Sequence, residues 1–251
     1  MINSEKYLNK KSFFDNVLTI YGRNAVLEAL KDNSLIIHKL HLSTSNKSVV
    51  QLDNMIKLAQ KKSIDVYYHD KKALSRISKN SKQDQGVALD IIMPKAISVD
   101  KFLSTHNSYT VIALDGIHNP QNLGMIIRSA TAGNIDAIIL PTKKSAQISP
   151  LVIKASVGTL FKLPIIKTNN LTQTLKKFQS SKAKLYTLSS HAKKSYKDEV
   201  YTKQRVFVLG NESDGVSNDI ESLCDSSISI PMNRGVESLN VAVTASLLAF
   251  L

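Results

Sequence analysis

Five polar side chains are spread over three separated turns: Asn122 and Arg128, then Glu212, then Ser238 and Asn240. A guanidinium at Arg128 can grip a phosphate through paired N–H groups. The carboxamides of Asn122 and Asn240 and the hydroxyl of Ser238 can donate to and accept from hydroxyl groups. Arg128 stands between Ile126, Ile127 and Ala130, an apolar setting in which a charge needs a partner. A phosphate would serve, and so would a carboxylate of the chain itself, such as Asp115 or Glu212. Around these groups lie apolar residues and glycines suited to a flat, partly apolar ligand. Gly210 ends an apolar run, and Ile230 and Leu239 bracket a loop containing Gly235; the two side chains could sandwich an adenine.

Each turn must be presented by a strand on one side and a helix on the other. Apolar runs occur at 111–114, 137–140, 185–188, 206–209 and 228–230, with a shorter one at 165–166. Helical spacing fills the gaps at about 122–132, 150–160, 170–179, 217–223 and 238–251. Short apolar runs alternating with helices predict an α/β domain over 109–251 with a buried, largely parallel sheet. Such sheets bind ligands at the carboxyl ends of their strands, which is where the three turns fall. Pro120 fixes the entry to the first helix, and Gly124 allows a close backbone approach. Ser217 reads as an N-cap, and Ser238 as a possible cap of the last helix.

Residues 17–93 read as a smaller α/β unit. Helix spacing covers 24–30, 49–61 and 71–77, and strand patterns cover 36–42, 65–68 and 87–92. The stretch 94–108, with Pro94 and several polar residues, reads as a linker holding a short helix. Residues 1–16 read as a loose basic tail; Glu5 and Asp15 interrupt it and it has no apolar run like that of a signal peptide.

The 251 residues carry a formal net charge of +13. Residues 1–95 hold 16 Lys and Arg against 9 Asp and Glu, and the remainder holds 17 against 11. A positive excess in both halves suits a chain that lies along a polyanion, although a lysine-rich solvated surface gives the same count. The single cysteine, Cys224, allows no internal disulfide and reads as a small packed residue. The histidines at 38, 41, 69, 106, 118 and 191 show no metal-ligand spacing, so no metal is expected. No apolar run is long enough to span a bilayer. A cytoplasmic protein without a membrane partner is expected.

Nine glycines occur, and no two are separated by a single residue. No G-x-G turn is therefore present to cradle a pyrophosphate, and no Walker A loop. Nicotinamide dehydrogenases, P-loop NTPases and the common Rossmann methyltransferases are disfavoured. A nucleotide-like cofactor would have to be held by another device.

Three stretches, LDGIHNPQNLGMIIR at 114–128, VFVLGNESDGVS at 206–217 and IPMNRGVESLNV at 230–241, together resemble the signature motifs of the SpoU (TrmH-type) RNA ribose 2′-O-methyltransferases. The resemblance covers 109–251. It implies a C-terminal trefoil-knotted, largely parallel-sheet domain, an exception to the rule against knots. It also implies S-adenosylmethionine held in the knot, and a homodimer with its site at the subunit interface. By position, Gly210, Ile230 and Leu239, with Leu188 and Met232, match cofactor-contacting residues of the family. Asn122, Arg128, Glu212, Ser238 and Asn240 match its catalytic and substrate-handling positions. The segments YGRNAVLEAL at 21–30 and QGV at 85–87 resemble the smaller RNA substrate-binding domain of the ribosomal-RNA members, similar to the ribosomal protein L30e fold. Asn119 stands where many members have Asp, Phe161 where many have Glu, and Ala242 where Ser is frequent.

The resemblance implies methyl transfer to a ribose 2′-hydroxyl, most closely as in the branch acting on guanosine of 23S rRNA. A tRNA ribose methyltransferase of the same family is the nearest alternative. Two readings from other classes are a non-catalytic RNA-binding assembly factor and an α/β enzyme acting on a small phosphorylated metabolite. The retained motif residues disfavour the first, and the distributed charge with its separate N-terminal unit disfavours the second.

Overall fold

The alternating runs fold into two separate sheets. The computed structural model describes residues 16–251 apart from 34, 48, 81, 82, 94, 95, 191 and 212. It divides into two units, Met1–Lys95 and Ala96–Leu251. The expected basic tail, save Asn16, and Glu212 lie outside the described residues.

The first unit comprises β1 (Val17–Tyr21), α1 (Arg23–Lys31), β2 (Ile36–Ser43), α2 (Val50–Lys61), β3 (Asp65–His69), α3 (Lys71–Ser78) and β4 (Val87–Ile92). Its sheet order is β1-β4-β2-β3. Strands β1 and β2 run antiparallel to β4, and β2 runs parallel to β3. Leu40, Leu42, Leu89 and Ile91 are buried, as are Val26 and Leu30 of α1 and Leu52 and Met55 of α2. Strand β1 escapes the sequence pattern. It is a short edge strand of mixed polarity with one buried residue, Ile20, and pairing with β4 rather than local alternation holds it.

A polar relay crosses this sheet. Asp90 accepts from Thr19 Oγ1 at 2.6 Å and from His41 Nε2 at 3.1 Å. His41 Nδ1 shares a 2.9 Å hydrogen bond with His69 Nε2. Burial pushes Asp90 upward, but the hydrogen bonds from His41 and Thr19 outweigh it, so its carboxyl titrates below 3.8. Burial and the neighbouring His41 hold His69 below 6.5, against a smaller raising effect of Asp70. Buried polar groups are tolerated because each finds a partner.

The second unit comprises α4 (Val99–Thr105), β5 (Tyr109–Asp115), α5 (Pro120–Ala132), β6 (Ala137–Pro141), α6 (Pro150–Ser156), a 3₁₀ turn at Thr159–Lys162, β7 (Ile165–Thr168), α7 (Leu171–Ser180), β8 (Lys184–Leu188), β9 (Gln204–Gly210), α8 (Asn218–Glu221), β10 (Ser226–Ile228) and α9 (Val241–Ala249). Six strands pair in the order β10-β8-β9-β5-β6-β7, all parallel. Val111, Ala113, Ile139, Val206 and Val208 form one core with Phe102 of α4, Leu175 and Phe178 of α7 and Ile220 of α8. The alternate strand residues Ile112, Ile138 and Phe207 are buried on the opposite face, as strand alternation requires. Helix α4, within the stretch read as a linker, is thus tied into this unit by its fully buried Phe102.

Helix boundaries differ from expectation in two places. The helix expected over 150–160 breaks at Val157 and Gly158, both left-handed with φ 51° and 75°, a usual way to end a helix. The last helix starts at Val241 rather than 238, because Asn240 and not Ser238 supplies the cap. At Gly124 a Cβ would lie 2.4 Å from Ala155 Cβ and 2.8 Å from the Val152 carbonyl. The anticipated close approach is therefore that of α6.

Gly124→Ala should lower stability by about 1–3 kcal/mol through overpacking, read by denaturant unfolding. His69 gives a pH prediction. Its folded pKa lies below its unfolded 6.5, so the unfolded chain takes up the proton first. The stability contributed by the neutral ring is present above 6.5 and is lost as pH falls through the window just beneath. Thermal melts should show the first unit weakening as pH falls below 6.5, and His69→Gln should flatten that slope.

Candidate active site

Parallel pairing sets the carboxyl ends of β10, β8, β9 and β5 side by side. Leu188 closes β8 opposite Ile228 of β10, and Gly210 closes β9 opposite Asp115 of β5. Leu188, Gly210 and Ile230, which sits two residues beyond β10, therefore share one rim of the sheet. Each is half-buried, as are Met232 and Leu239.

The first turn is set by Asn119. Its side chain accepts from the backbone N–H groups of Gln121, at 2.8 Å, and Asn122, with Pro120 beginning α5. An Asp in this place would cap in the same way. Asp115 reaches to the second turn, where its Oδ2 accepts from Ser217 N at 2.8 Å and Ser217 Oγ at 2.7 Å. Ser217 holds the N-cap position of α8 as expected, but its own side chain makes no cap bond; the hydroxyl is given to Asp115.

The second turn folds back on its strand. Asn211 Oδ1 accepts from Ser213 N and Asp214 N, and Gly215 N donates to Asn211 O. A Cβ at Gly210 would lie 1.9 Å from the Gly215 carbonyl carbon. The bare backbone at Gly210 is thus needed by the turn itself, whatever else approaches it.

The third stretch is irregular from 231 to 240, with Arg234 and Gly235 left-handed at φ 58° and 71°. Asn240 ends it with both halves of its amide in use. Its Oδ1 accepts from Ala242 N at 2.9 Å, capping α9, while its Nδ2 donates to Asn122 Oδ1 at 3.2 Å. Asn122 is buried, with 8% of its surface accessible. The first and third stretches therefore meet through two predicted residues 118 positions apart. Ser238 is exposed in the loop just before. Glu212 lies outside the described residues, so its placement beside the others remains an expectation.

Arg128 departs from its expected setting. Ile126, Ile127 and Ala130 turn inward, whereas Arg128 is exposed with Met125, three residues before it. At 100° per residue, positions three apart share a face, and this one points away from the sheet. None of the four ion pairs among the described residues involves Arg128, and Asp115 is engaged by Ser217. Helix α9 lies against α5, with Ser246 Oγ and Ser129 Oγ 2.7 Å apart. It presents Val243 and Phe250 to solvent.

A second device at the rim leaves no local sequence signal. Ser189 N donates to Ile228 O on one side of the chain. On the other side, Ser229 N donates to Lys194 O and Tyr196 N to Ser229 O. The chain leaving β10 thus runs between β8 and the segment 194–196 of the loop that follows β8. Glu199 clasps that loop, bonded to Lys184 at 3.2 Å and Lys194 at 2.9 Å with its side chain 5% exposed. The hydrogen bond from Lys194, with those of Lys184 and both charges, holds its carboxyl below the ordinary 4.5 despite burial. In sequence Lys194 and Glu199 are ordinary charges in a polar loop, and Lys184 merely precedes the apolar run of β8. Cys224, in contrast, is removed from nucleophilic chemistry. Burial, then Asp225 and Glu221, pushes its thiol up to about 12. Among the described residues no helix is long and apolar enough to cross a membrane, and no group of three or more His, Cys, Asp or Glu is placed to hold a metal.

Comparison with known proteins identifies the family of both units. The model of the SpoU rRNA Methylase family matches residues 109–250, and that for RNA 2′-O ribose methyltransferase substrate binding matches residues 19–96. A putative TrmH family tRNA/rRNA methyltransferase of Staphylococcus epidermidis is 31% identical over 237 residues, covering 93% of this chain and 94% of its own. Among solved structures, the SpoU methyltransferase AviRb from Streptomyces viridochromogenes, in complex with the cofactor AdoMet, superposes with a TM-score of 0.75 at 21% identity, covering 96% of this chain and 90% of its own. An AdoMet-bound rRNA methyltransferase from Sinorhizobium meliloti gives 0.67 at 21% identity, covering 96% and 88%. These two likenesses show the fold. With its catalytic-domain motifs, its substrate-binding domain and a relative matched along nearly its whole length, the chain belongs to the SpoU family of RNA 2′-O-ribose methyltransferases.

Proposed function

We propose that this chain methylates the 2′-hydroxyl of a guanosine in 23S rRNA, using S-adenosylmethionine, as a homodimer whose partner subunit completes each site. The observation that carries the reading is the Asn240–Asn122 hydrogen bond at the strand-end rim. It joins the first and third motifs beside the half-buried Leu188, Gly210, Ile230, Met232 and Leu239. Apolar side chains with irregular backbone between them suit an adenine, which has flat apolar faces and a hydrogen-bonding edge. These residues would hold S-adenosylmethionine, which supplies an already electrophilic methyl group when bound. The passage of the chain between β8 and 194–196 supports the knotted crossing that the resemblance implies.

The ribose hydroxyl gives up its proton to solvent as its oxygen takes the methyl group, and the donor would leave as a neutral thioether. Arg128 holds the adjacent phosphate and stabilises the forming alkoxide. A guanidinium stays protonated at all working pH values, so its contribution is electrostatic. Ser238 and Asn240 position the ribose, Asn122 fixes Asn240, and Glu212 orients Arg128 or Asn122. Exposure of Arg128 in one copy supports the dimer. It shares an exposed face of α5 with Met125, and the adjoining α9 leaves Val243 exposed, with Phe250 exposed just beyond its end. A second copy covering this face would give the guanidinium the secluded setting its role requires. The substrate-binding unit at 19–96 supports an RNA substrate, and the description of the family matched at 109–250, SpoU rRNA Methylase, supports a ribosomal one.

Arg128→Ala should cut tritiated-methyl transfer to rRNA by roughly 10²–10³-fold, with S-adenosylmethionine affinity by calorimetry nearly unchanged. Lost cofactor affinity would remove the assigned role. Mixing Arg128→Ala and Asn240→Ala chains should restore part of the activity if Arg128 serves the partner's site, and none if each chain is self-sufficient. Mapping 2′-O-methyl groups in RNA from cells lacking the protein should show one guanosine of 23S rRNA unmodified; a missing tRNA methyl group would reassign the substrate.

A further inference from the structure

We infer that the first unit carries a preformed pocket for one unpaired nucleotide of the RNA, in the cleft where Arg23, Asn24, Gln51 and Lys71 meet; this rests on the RNA substrate proposed above. The cleft measures about 660 Å³, within the roughly 300–1,000 Å³ typical of small-ligand sites. Among the described residues lining it, only Leu74 has an apolar side chain, so its natural ligand is charged and rich in hydrogen-bonding groups.

The donors and acceptors have a definite pattern. Gln51 Nε2 donates to Asn24 Oδ1 at 2.8 Å. That bond leaves the Asn24 amide nitrogen and the Gln51 carbonyl as a paired donor and acceptor, the complement of a base's hydrogen-bonding edge. Such edges are accessible in RNA only where bases are unpaired and splayed out. The cations suit the attached phosphate. Arg23 Nε donates to Gln85 O at 3.2 Å, which anchors the guanidinium by one nitrogen and leaves its terminal nitrogens for an anion. Lys71 is exposed and adds a second charge. Asp84, the one carboxylate at the cleft among the described residues, is engaged by Ser78 Oγ at 2.9 Å and Gly86 N at 3.0 Å.

The walls are built before any ligand arrives. Gln85 and Gly86 are left-handed at φ 52° and 76°, and Gln85 Oε1 accepts from Arg23 N at 3.0 Å. Asn46 Nδ2 donates to Gly86 O at 2.8 Å, and a Cβ at 86 would fall 2.0 Å from Asn46 Oδ1. Preorganised walls lower the ordering cost of binding.

The test uses the full chain, without methyl donor, and two labelled RNAs in anisotropy titrations: a stem–loop and a blunt duplex of the same stem. The wild type should prefer the stem–loop. The double variant Asn24→Ala/Gln51→Ala should lose about tenfold on the stem–loop, as expected for one lost bidentate contact, and little on the duplex. Lys71→Ala, on an exposed side chain, should reduce the salt slope by about one. Equal wild-type affinity for the two RNAs, or a double variant that binds both like wild type, would overturn the pocket. So would a double variant weakened equally on both RNAs while its melting temperature is intact. Should the double variant melt early, Gln51→Ala alone carries the same comparison. Binding is read without turnover, so a wild-type chain that binds as described yet transfers no methyl would sink the proposed reaction and leave the pocket standing.

Discussion

The passage of the chain at 228–230 is the constraint on which the site depends. Successive backbone groups there bond in opposite directions, to β8 at Ile228 and to the 194–196 segment at Ser229. A chain held on both sides has its exit direction fixed. Ile230 and Met232 follow within a few residues of that exit, so their placement is inherited from it, whereas Asn240, at the far end of the irregular stretch, is held by its own bonds to Ala242 and Asn122. Glu199 secures the loop by a buried carboxylate with two lysines. An arrangement of this kind is strongly disrupted when one partner is removed and the rest is left buried and unpaired. The ion pair therefore acts on Ile230 and Met232 from a distance, through the loop.

The polar residues of the rim divide by what they face. Asp115, Asn119 and Asn211 face the chain's own backbone and serve to hold turns. Asn122 and Asn240 face each other and connect turns. Arg128 and Ser238 face solvent in a single copy. This ordering separates the scaffold from the groups left for chemistry, and it places the residues assigned to the RNA on the outside of the fold.

Much of this was legible in the sequence. The strands and helices of the larger unit, and the placing of three turns at strand ends, follow from hydrophobic period and turn residues, which are local. What was not legible is non-local. Strand β1 exists because β4 pairs with it. The Asp115–Ser217 contact spans 102 positions, and the clasp at Glu199 uses side chains whose sequence context is that of a solvated loop. Arg128 was misjudged for a local reason: its neighbours in sequence are apolar, but on a helix neighbours in sequence point in different directions. The last helix was started too early because Ser238 and Asn240 are both good caps, and only the bond to Ala242 N separates them.

The twin duty of Asn240 makes the end of the chain a mechanical relay. The same amide that starts α9 also steadies Asn122, so fraying of that helix's opening turn would slacken the substrate side of the rim at once. Helix α9 is itself short and has apolar residues left in water on its outer side. Catalytic competence is then expected to fade on gentle warming while the central sheet is still intact, because a helix with an apolar side left in water is the one that keeps the two amides in register.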